Sequence, residues 1–164
     1  MKKFLLLLII PFLSFGQYTS IPDAAFRAYL NNLGVTQATV GGVPSVPTSE
    51  INIIESINLS YSSSFGYIED LTGIEEFSSL ETLTITYQSE LTSIDMSGST
   101  FLTTLQCGNN SLVELNVSEN MFLEYLDCNN NLLPSLNVSN NMFLYNINCQ
   151  NNSLTNSDLS NNAN

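Results

Sequence analysis

From residue 100 onward, apolar and polar positions recur with a period of 21. Residues 100–120 read TFLTTLQCGNNSLVELNVSEN, residues 121–141 read MFLEYLDCNNNLLPSLNVSNN, and residues 142–162 read MFLYNINCQNNSLTNSDLSNN. In this register Leu102, Leu123 and Leu144 form one column, and Leu105, Leu126 and Ile147 a second. Cys107, Cys128 and Cys149 form a third, Asn110, Asn131 and Asn152 a fourth, and Leu112, Leu133 and Leu154 a fifth. Self-similarity at a fixed period over several columns marks a chain of stacked, similar units. Two looser units precede these three. Leu80, Leu83, Ile85, Leu91, Ile94 and Met96 outline one, with one inserted residue near Gln88. The earliest runs from Ile54, Ile57 and Leu59 through Ile68, Leu71, Ile74 and Phe77, with Ser62, Ser63, Ser64 and Gly66 bulging out. Unit starts at 54, 80, 102, 123 and 144 make about five rungs.

Each column has a physical role. The x-L-x-C-x stretch alternates with period two, which predicts a short strand with Leu and Cys facing inward. Strands of successive rungs then lie parallel, about 4.8 Å apart, in one sheet. The Asn column follows the strand and turns the chain. A carboxamide both donates and accepts, so it satisfies peptide groups that a buried corner leaves unpaired. Asn120, Asn141 and Asn162 are positioned to do the same at the opposite corner. The return segment, as in Leu112-x-x-Leu115-x-Val117, is too short for a helix and predicts extended or 3-10 structure. In the second rung the Asn position is taken by Gln88 or Ser89, which predicts a less regular corner.

The N-terminal region follows other rules. Lys2 and Lys3, then the apolar run Phe4–Leu13, then Ser14-Phe15-Gly16 have the form of a signal peptide over 1–16, cleaved before Gln17. That run is too short to span a bilayer, so no membrane insertion is expected. Residues 17–50 read as a helical cap and connecting loop, and 51–164 as the solenoid. Ser20-Ile21-Pro22-Asp23 predicts a helix start with Pro in the first turn. Phe26, Tyr29, Leu30 and Leu33 give that helix one apolar face, and Gly34 suits its C-terminal cap. Such a helix would cover the apolar end of the first rung. Residues 35–50, rich in Val, Gly, Pro, Ser and Thr, read as a loop or irregular edge strand.

The rungs carry the L-x-x-L-x-C-x-x-N-x-L frame of the leucine-rich repeat. With the opening IPDAAFRAYL and the step DLTGIEEF at 70–77, they resemble secreted leucine-rich-repeat proteins of Gram-negative bacteria and are similar to the internalin-type repeats of bacterial surface proteins. The resemblance covers roughly residues 20–162. It implies an α/β-type solenoid with a short parallel sheet on a concave face, an irregular or 3-10 convex side, an extracellular location, and adhesion to proteins or glycans. Such proteins often end in a C-terminal sorting domain. A chain that stops at Asn164 just after a rung boundary predicts either a truncated product or self-association through the last rung.

Charge and chemistry narrow the function. Charged residues are 11% of the chain against a usual quarter, and 15 acids face three bases for a net −12. Loss of the signal segment leaves Arg27 as the one base against 15 acids, a net −14. This surface repels nucleic acid. There is no His, so serine and cysteine nucleophiles lack their usual base and no enzyme is expected. Glu69-Asp70 and Glu75-Glu76 leave a glycan-processing enzyme as a remote alternative and a calcium site near Glu69–Glu76 as an open one, though their spacing matches no calcium loop. Solvated loop acids account for them more simply. Cys107, Cys128 and Cys149 replace inward Leu59 and Ile85, which reads as a buried thiol ladder. A disulfide between neighbours and a metal site are the alternatives, but three Cys without His are incomplete for zinc. No metal and no cofactor are expected. The N-x-S triplets at Asn58, Asn109, Asn116, Asn137 and Asn151 mostly recur with the rung and read as turn chemistry.

Binding then falls to the outward strand positions. These are Thr82, Thr84 and Thr86; Thr104 and Gln106, with Gly108; Tyr125, Asp127 and Asn129; and Asn146, Asn148 and Gln150. Solenoids bind ligands on such a face, and Tyr125 beside Asp127 is the expected anchor. The expected function is an extracellular scaffold for a protein or glycan. The alternative is a structural spacer, or a fragment of a larger surface protein, without binding activity of its own.

Overall fold

The computed structural model describes residues 16–61 and 65–158. The signal segment up to Phe15, the Ser62–Ser64 bulge and Asn162 lie outside the described residues. In chain order the first elements are β1 (Tyr18–Ser20), α1 (Ala24–Asn32), β2 (Ala38–Val40), β3 (Val43–Pro47) and the short α2 (Thr48–Ile51). β3 lies between β1 and β2 in an antiparallel sheet, with Tyr18 opposite Pro47 and Ala38 opposite Ser45. Residues 35–50 thus hold an edge strand, β2, as expected, and beside it a central strand, β3, where a loop was the other expectation. Gly41 and Gly42, at φ +60° and +85°, close a two-residue hairpin whose twist needs positive φ at both positions.

Helix α1 starts at Ala24, two residues beyond the proline. Asp23 is its N-cap, and the Asp23 carboxylate accepts the Phe26 N–H at 2.7 Å. Pro22 thus precedes the helix and is not in its first turn. Phe26 and Leu30 are fully buried, but Leu33 belongs to the C-cap and is exposed. Gly34 follows at φ +89°. Several contacts join the helix and its cap to the first rung. Phe26 stacks on Phe77 at 5.9 Å, the Asn58 N–H donates to the Tyr29 hydroxyl at 3.0 Å, and Asp23 also accepts the Glu69 N–H at 2.9 Å. One carboxylate thus caps the helix and ties it to the coil.

The remaining elements alternate between two sides of a coil. They are β4 (Ser56–Asn58), a 3-10 turn at Ile74–Glu76, β5 (Thr82–Thr84), β6 (Ser93–Asp95), β7 (Thr104–Gln106), β8 (Glu114–Asn116), β9 (Tyr125–Asp127), β10 (Ser135–Asn137), β11 (Asn146–Asn148) and β12 (Asn156–Asp158). β4, β5, β7, β9 and β11 form one parallel sheet in which Ile57, Leu83, Leu105, Leu126 and Ile147 lie abreast. Each strand begins two residues after a rung start, so the chain is a parallel-strand solenoid. One core runs from Ile21 in the N-terminal segment to Leu144 in the last described rung. Ile147, Cys149 and Leu154 are partly buried at its end.

The return side is 3-10 in the first rung and extended in the later ones. Its strands pair β6 with β8 and β10 with β12, as two separate parallel ladders. The break has a chemical cause. The Val113 and Glu114 N–H groups both reach the Thr92 carbonyl, and the Thr155 N–H reaches the Pro134 carbonyl. Pro134 occupies the same column as Val113 but has no N–H to return to the rung before it.

The inward columns should dominate stability. Leu126→Ala should destabilise by about 2–5 kcal/mol as a core truncation. Thr104→Ala, on the opposite face of the neighbouring strand, should cost under about 0.5 kcal/mol. Denaturant midpoints of the two variants check this, and equal shifts would contradict the register.

Candidate functional site

The outward side chains of the five-stranded sheet stand in two rows. Thr82, Thr104, Tyr125 and Asn146 are abreast in one, and Thr84, Gln106, Asp127 and Asn148 in the other. Ser56 and Asn58 of β4 extend both rows by one rung. Thr84 Oγ1 donates to Gln106 Oε1 at 3.1 Å, so neighbouring strands also bond through side chains. Tyr125 is half-buried. Asp127 is engaged locally, because its carboxylate accepts the Asn129 N–H at 3.1 Å.

Alternation also assigns Thr86, Asn129 and Gln150 to this face, and the structure places them just past the strand ends. Thr86 Oγ1 donates to Ser60 Oγ at 3.0 Å, and Gln150 is exposed. Asn129 packs against the rung before it. A Cβ at Gly108 would overlap the Asn129 amide oxygen, so glycine there lets that side chain lie flat.

The corner residues do different work. Asn131 donates to the carbonyls of Cys107 at 2.9 Å and Cys128 at 3.0 Å, and accepts the Leu112 N–H at 2.9 Å. Asn110 donates to Ile85 and Cys107 and accepts from Gln88 N–H, while Asn152 donates to Cys128 and Cys149 and accepts from Leu133 N–H. Each amide thus clamps its own rung to the one before it. The second-rung corner is not left irregular by its missing Asn. Gln88 is buried there, donates to the Leu59 carbonyl at 2.6 Å and accepts the Ile68 N–H at 2.8 Å, so one extra methylene makes the same inter-rung bond. At the opposite corner the fully buried Asn120 donates to Met96 and Ser99, and Asn141 donates to Val117 and Asn120. Asn58, Asn116 and Asn137 each accept the N–H two residues on, closing local turns.

The cysteine column runs inside the sheet. All three thiols are free, with Cys107 and Cys128 fully buried and Cys149 partly so. Burial pushes the Cys128 thiol up to about 12, with Cys149 and Asp127 adding to the shift. Burial also raises Cys107 well above its ordinary range, helped by Cys128 and Asp127. Such thiols are weak nucleophiles and behave as packing groups.

A solved structure shares this architecture. The functional domain of InlJ from Listeria monocytogenes, which includes a cysteine ladder, matches with a TM-score of 0.75 and 34% sequence identity over 90% of this chain. The fold is that of a leucine-rich-repeat solenoid. The match takes in 32% of that chain, so the present sequence spans about a third of its length. No family model matches, and no curated protein does.

Two surface features escaped the sequence reading. Phe101, Phe122 and Phe143 stack at 6.4 and 6.1 Å while staying 46–58% exposed. Their signal was the residue before each rung start, an apolar column outside the expected core. Tyr61 and Tyr67 stack at 4.5 Å near Tyr87, at a corner of the early rungs. One member of each acid pair is engaged in a local turn. Asp70 accepts from the Thr72 N–H and hydroxyl, and Glu75 from the Gly73 N–H. Among the described residues no group of three or more His, Cys, Asp or Glu is placed to hold a metal. Nor is any described helix long and apolar enough to cross a membrane.

Removing one corner amide should be costly for its size. Asn131→Ala leaves buried backbone groups unpaired and should cost about 1–3 kcal/mol, whereas Asn129→Ala should be tolerated. Thermal or denaturant unfolding of the pair checks this, and a larger loss at Asn129 would contradict the assignment.

The thiol ladder makes stability fall at alkaline pH. A raised thiol pKa favours the native state fully below the unfolded-chain value of about 8.5. That contribution is lost as pH rises toward about 12 for Cys128. Between those limits the wild type should lose stability more steeply than Cys128→Val, which lacks that thiol. Parallel slopes in pH-dependent unfolding would contradict it.

Proposed function

We propose that this chain is an exported binding scaffold that holds a protein ligand against the outward face of its five-stranded sheet, and that it is not an enzyme. The observation that carries the reading is the register. Side chains from four successive strands stand abreast in two rows, on a backbone fixed by its own ladder and by the corner amides. Such a face presents many contacts at little ordering cost on binding. The shared fold of the InlJ functional domain supports a role at a bacterial surface, as does the signal-like start of the chain. The face is polar and carries Asp127 but no base, in a chain of net charge −12, so the reading favours a neutral or basic partner surface. Tyr125 is the anchor: it is the aromatic ring among the ten outward residues of the five strands.

A display library of extracellular proteins, screened with the purified chain, tests this. For a captured partner, Tyr125→Ala should weaken binding about tenfold or more, as an aromatic anchor does. Glu114→Ala, on the return side in β8, should leave it unchanged. Unchanged binding by Tyr125→Ala, or loss with Glu114→Ala, would move the site off the sheet face.

A further inference from the structure

A hollow of about 450 Å³ lies at the corner where the first three rungs leave the sheet, between Tyr61, Tyr67 and Tyr87. The rest of its lining is serine and asparagine, including Ser89, Asn109 and Ser111. Its volume falls within the range of about 300–1,000 Å³ usual for small-ligand sites. Every lining side chain carries a hydroxyl or an amide, and none is charged or aliphatic.

Tyr87 is the unusual member. Its column continues as Asn109, Asn130 and Asn151, and all four residues lie in the left-handed region, at φ 61°, 59°, 50° and 55°. Asparagine tolerates that conformation, whereas a bulky aromatic there is a true outlier. Burial does not compensate, since the Tyr87 side chain is 62% exposed. A residue that conflicts with its backbone and gains no packing marks a functional position.

The same substitution leaves a donor facing the hollow. In the later rungs the amides form an outer ladder, Asn151 donating to Asn130 at 2.7 Å and Asn130 to Asn109 at 3.1 Å. The next acceptor in line would be residue 87, and tyrosine carries no amide oxygen there. Asn109 therefore ends the ladder at the hollow it lines.

We propose that this hollow binds a neutral saccharide, with sugar C–H faces against the tyrosine rings and sugar hydroxyls bonded to the Asn109 amide and the serines. The polarised C–H groups on one face of a pyranose ring complement the negative face of an aromatic ring. The hydroxyls on its rim need groups that both donate and accept, which is what serine, asparagine and the tyrosine hydroxyls supply. An anionic sugar finds no counter-charge. Arg27, the one base beyond the signal-like segment, donates to the Ile21 and Pro22 carbonyls at 2.6 Å each. A peptide is the less favoured occupant, because the lining offers no aliphatic pocket for an apolar anchor. The site is separate from the two rows on the sheet and stands whether or not those rows bind a protein.

The test is an array of neutral and sialylated glycans probed with the purified chain. Neutral glycans should be retained and sialylated ones not. Tyr87→Asn restores the residue type of the later rungs, so it should fold with an equal or higher melting temperature while losing glycan binding about tenfold or more. Tyr67→Ser should lose binding as well, and Tyr125→Ala should keep it. An array without neutral binders, or full retention by folded Tyr87→Asn, would overturn the proposal. So would Tyr87-dependent capture of unglycosylated peptides in place of glycans, which would assign the hollow to a protein.

Discussion

A coil that closes every 21 residues must turn corners inside its own core, where backbone N–H and C=O groups have neither water nor a strand partner. The rest of the structure depends on how those groups are satisfied. Short strands provide three residues of ladder on the sheet side of each rung, and a few backbone bonds, such as Asn109 N–H to the Asn129 carbonyl at 2.9 Å, carry it into the corner. The corner carboxamides do the remainder, because a carboxamide offers donor and acceptor on one rigid plane. Asn110, Asn131 and Asn152 each bond two rungs at once, and Gln88 shows that the chemistry matters more than the length of the side chain. With the corners fixed, the Leu and Cys columns stack without slippage, and the outward rows inherit their alignment.

The N-terminal segment solves a different problem. The first rung would expose Ile57, Leu59 and Phe77 to water. Helix α1 and the β1–β3 sheet enclose that end through Phe26, Leu30 and Val46, all fully buried. Asp23 links the two parts by accepting from its own helix and from Glu69. Glycine is required where these parts come closest. Gly73 has φ +99°, and a Cβ there would overlap Ile21, while one at Gly98 would overlap the Glu75 carbonyl of the preceding rung.

The solenoid was legible because its information is repeated. Five columns over three rungs specify the strands, their register and the inward thiols, and a misreading of one residue changes little. Features present once were harder to read. Gly41-Gly42 is a strong hairpin signal, but strands of three to five residues, with two prolines in β3, carry too little periodicity to advertise a sheet. Gln88 was discounted by residue name, although its amide can do what asparagine does. Pro22 points to a helix start, and the cap chemistry of Asp23 sets that start two residues later, at Ala24. The functional surface was legible only in part. Alternation identifies which strand positions face outward, and so assigns Thr82 to Asn148 to the outer rows. It does not tell where a strand ends, so Thr86, Asn129 and Gln150 were carried past the sheet. The tyrosine hollow draws on residues 61, 67 and 87, which no period links, and only the fold brings them together.

The central claim is that side-chain amides, and not strands alone, satisfy the rung backbone. The Gln88, Leu112 and Leu133 N–H groups test it most directly, since each donates to the side-chain oxygen of Asn110, Asn131 or Asn152 at 2.7–3.0 Å. Native-state hydrogen exchange of the unaltered chain reads them individually. The account predicts protection comparable to that of Ile85 and Cys107, whose N–H groups bond across the sheet at 2.7 Å. Exchange of all three at the rate of exposed loop amides would contradict it.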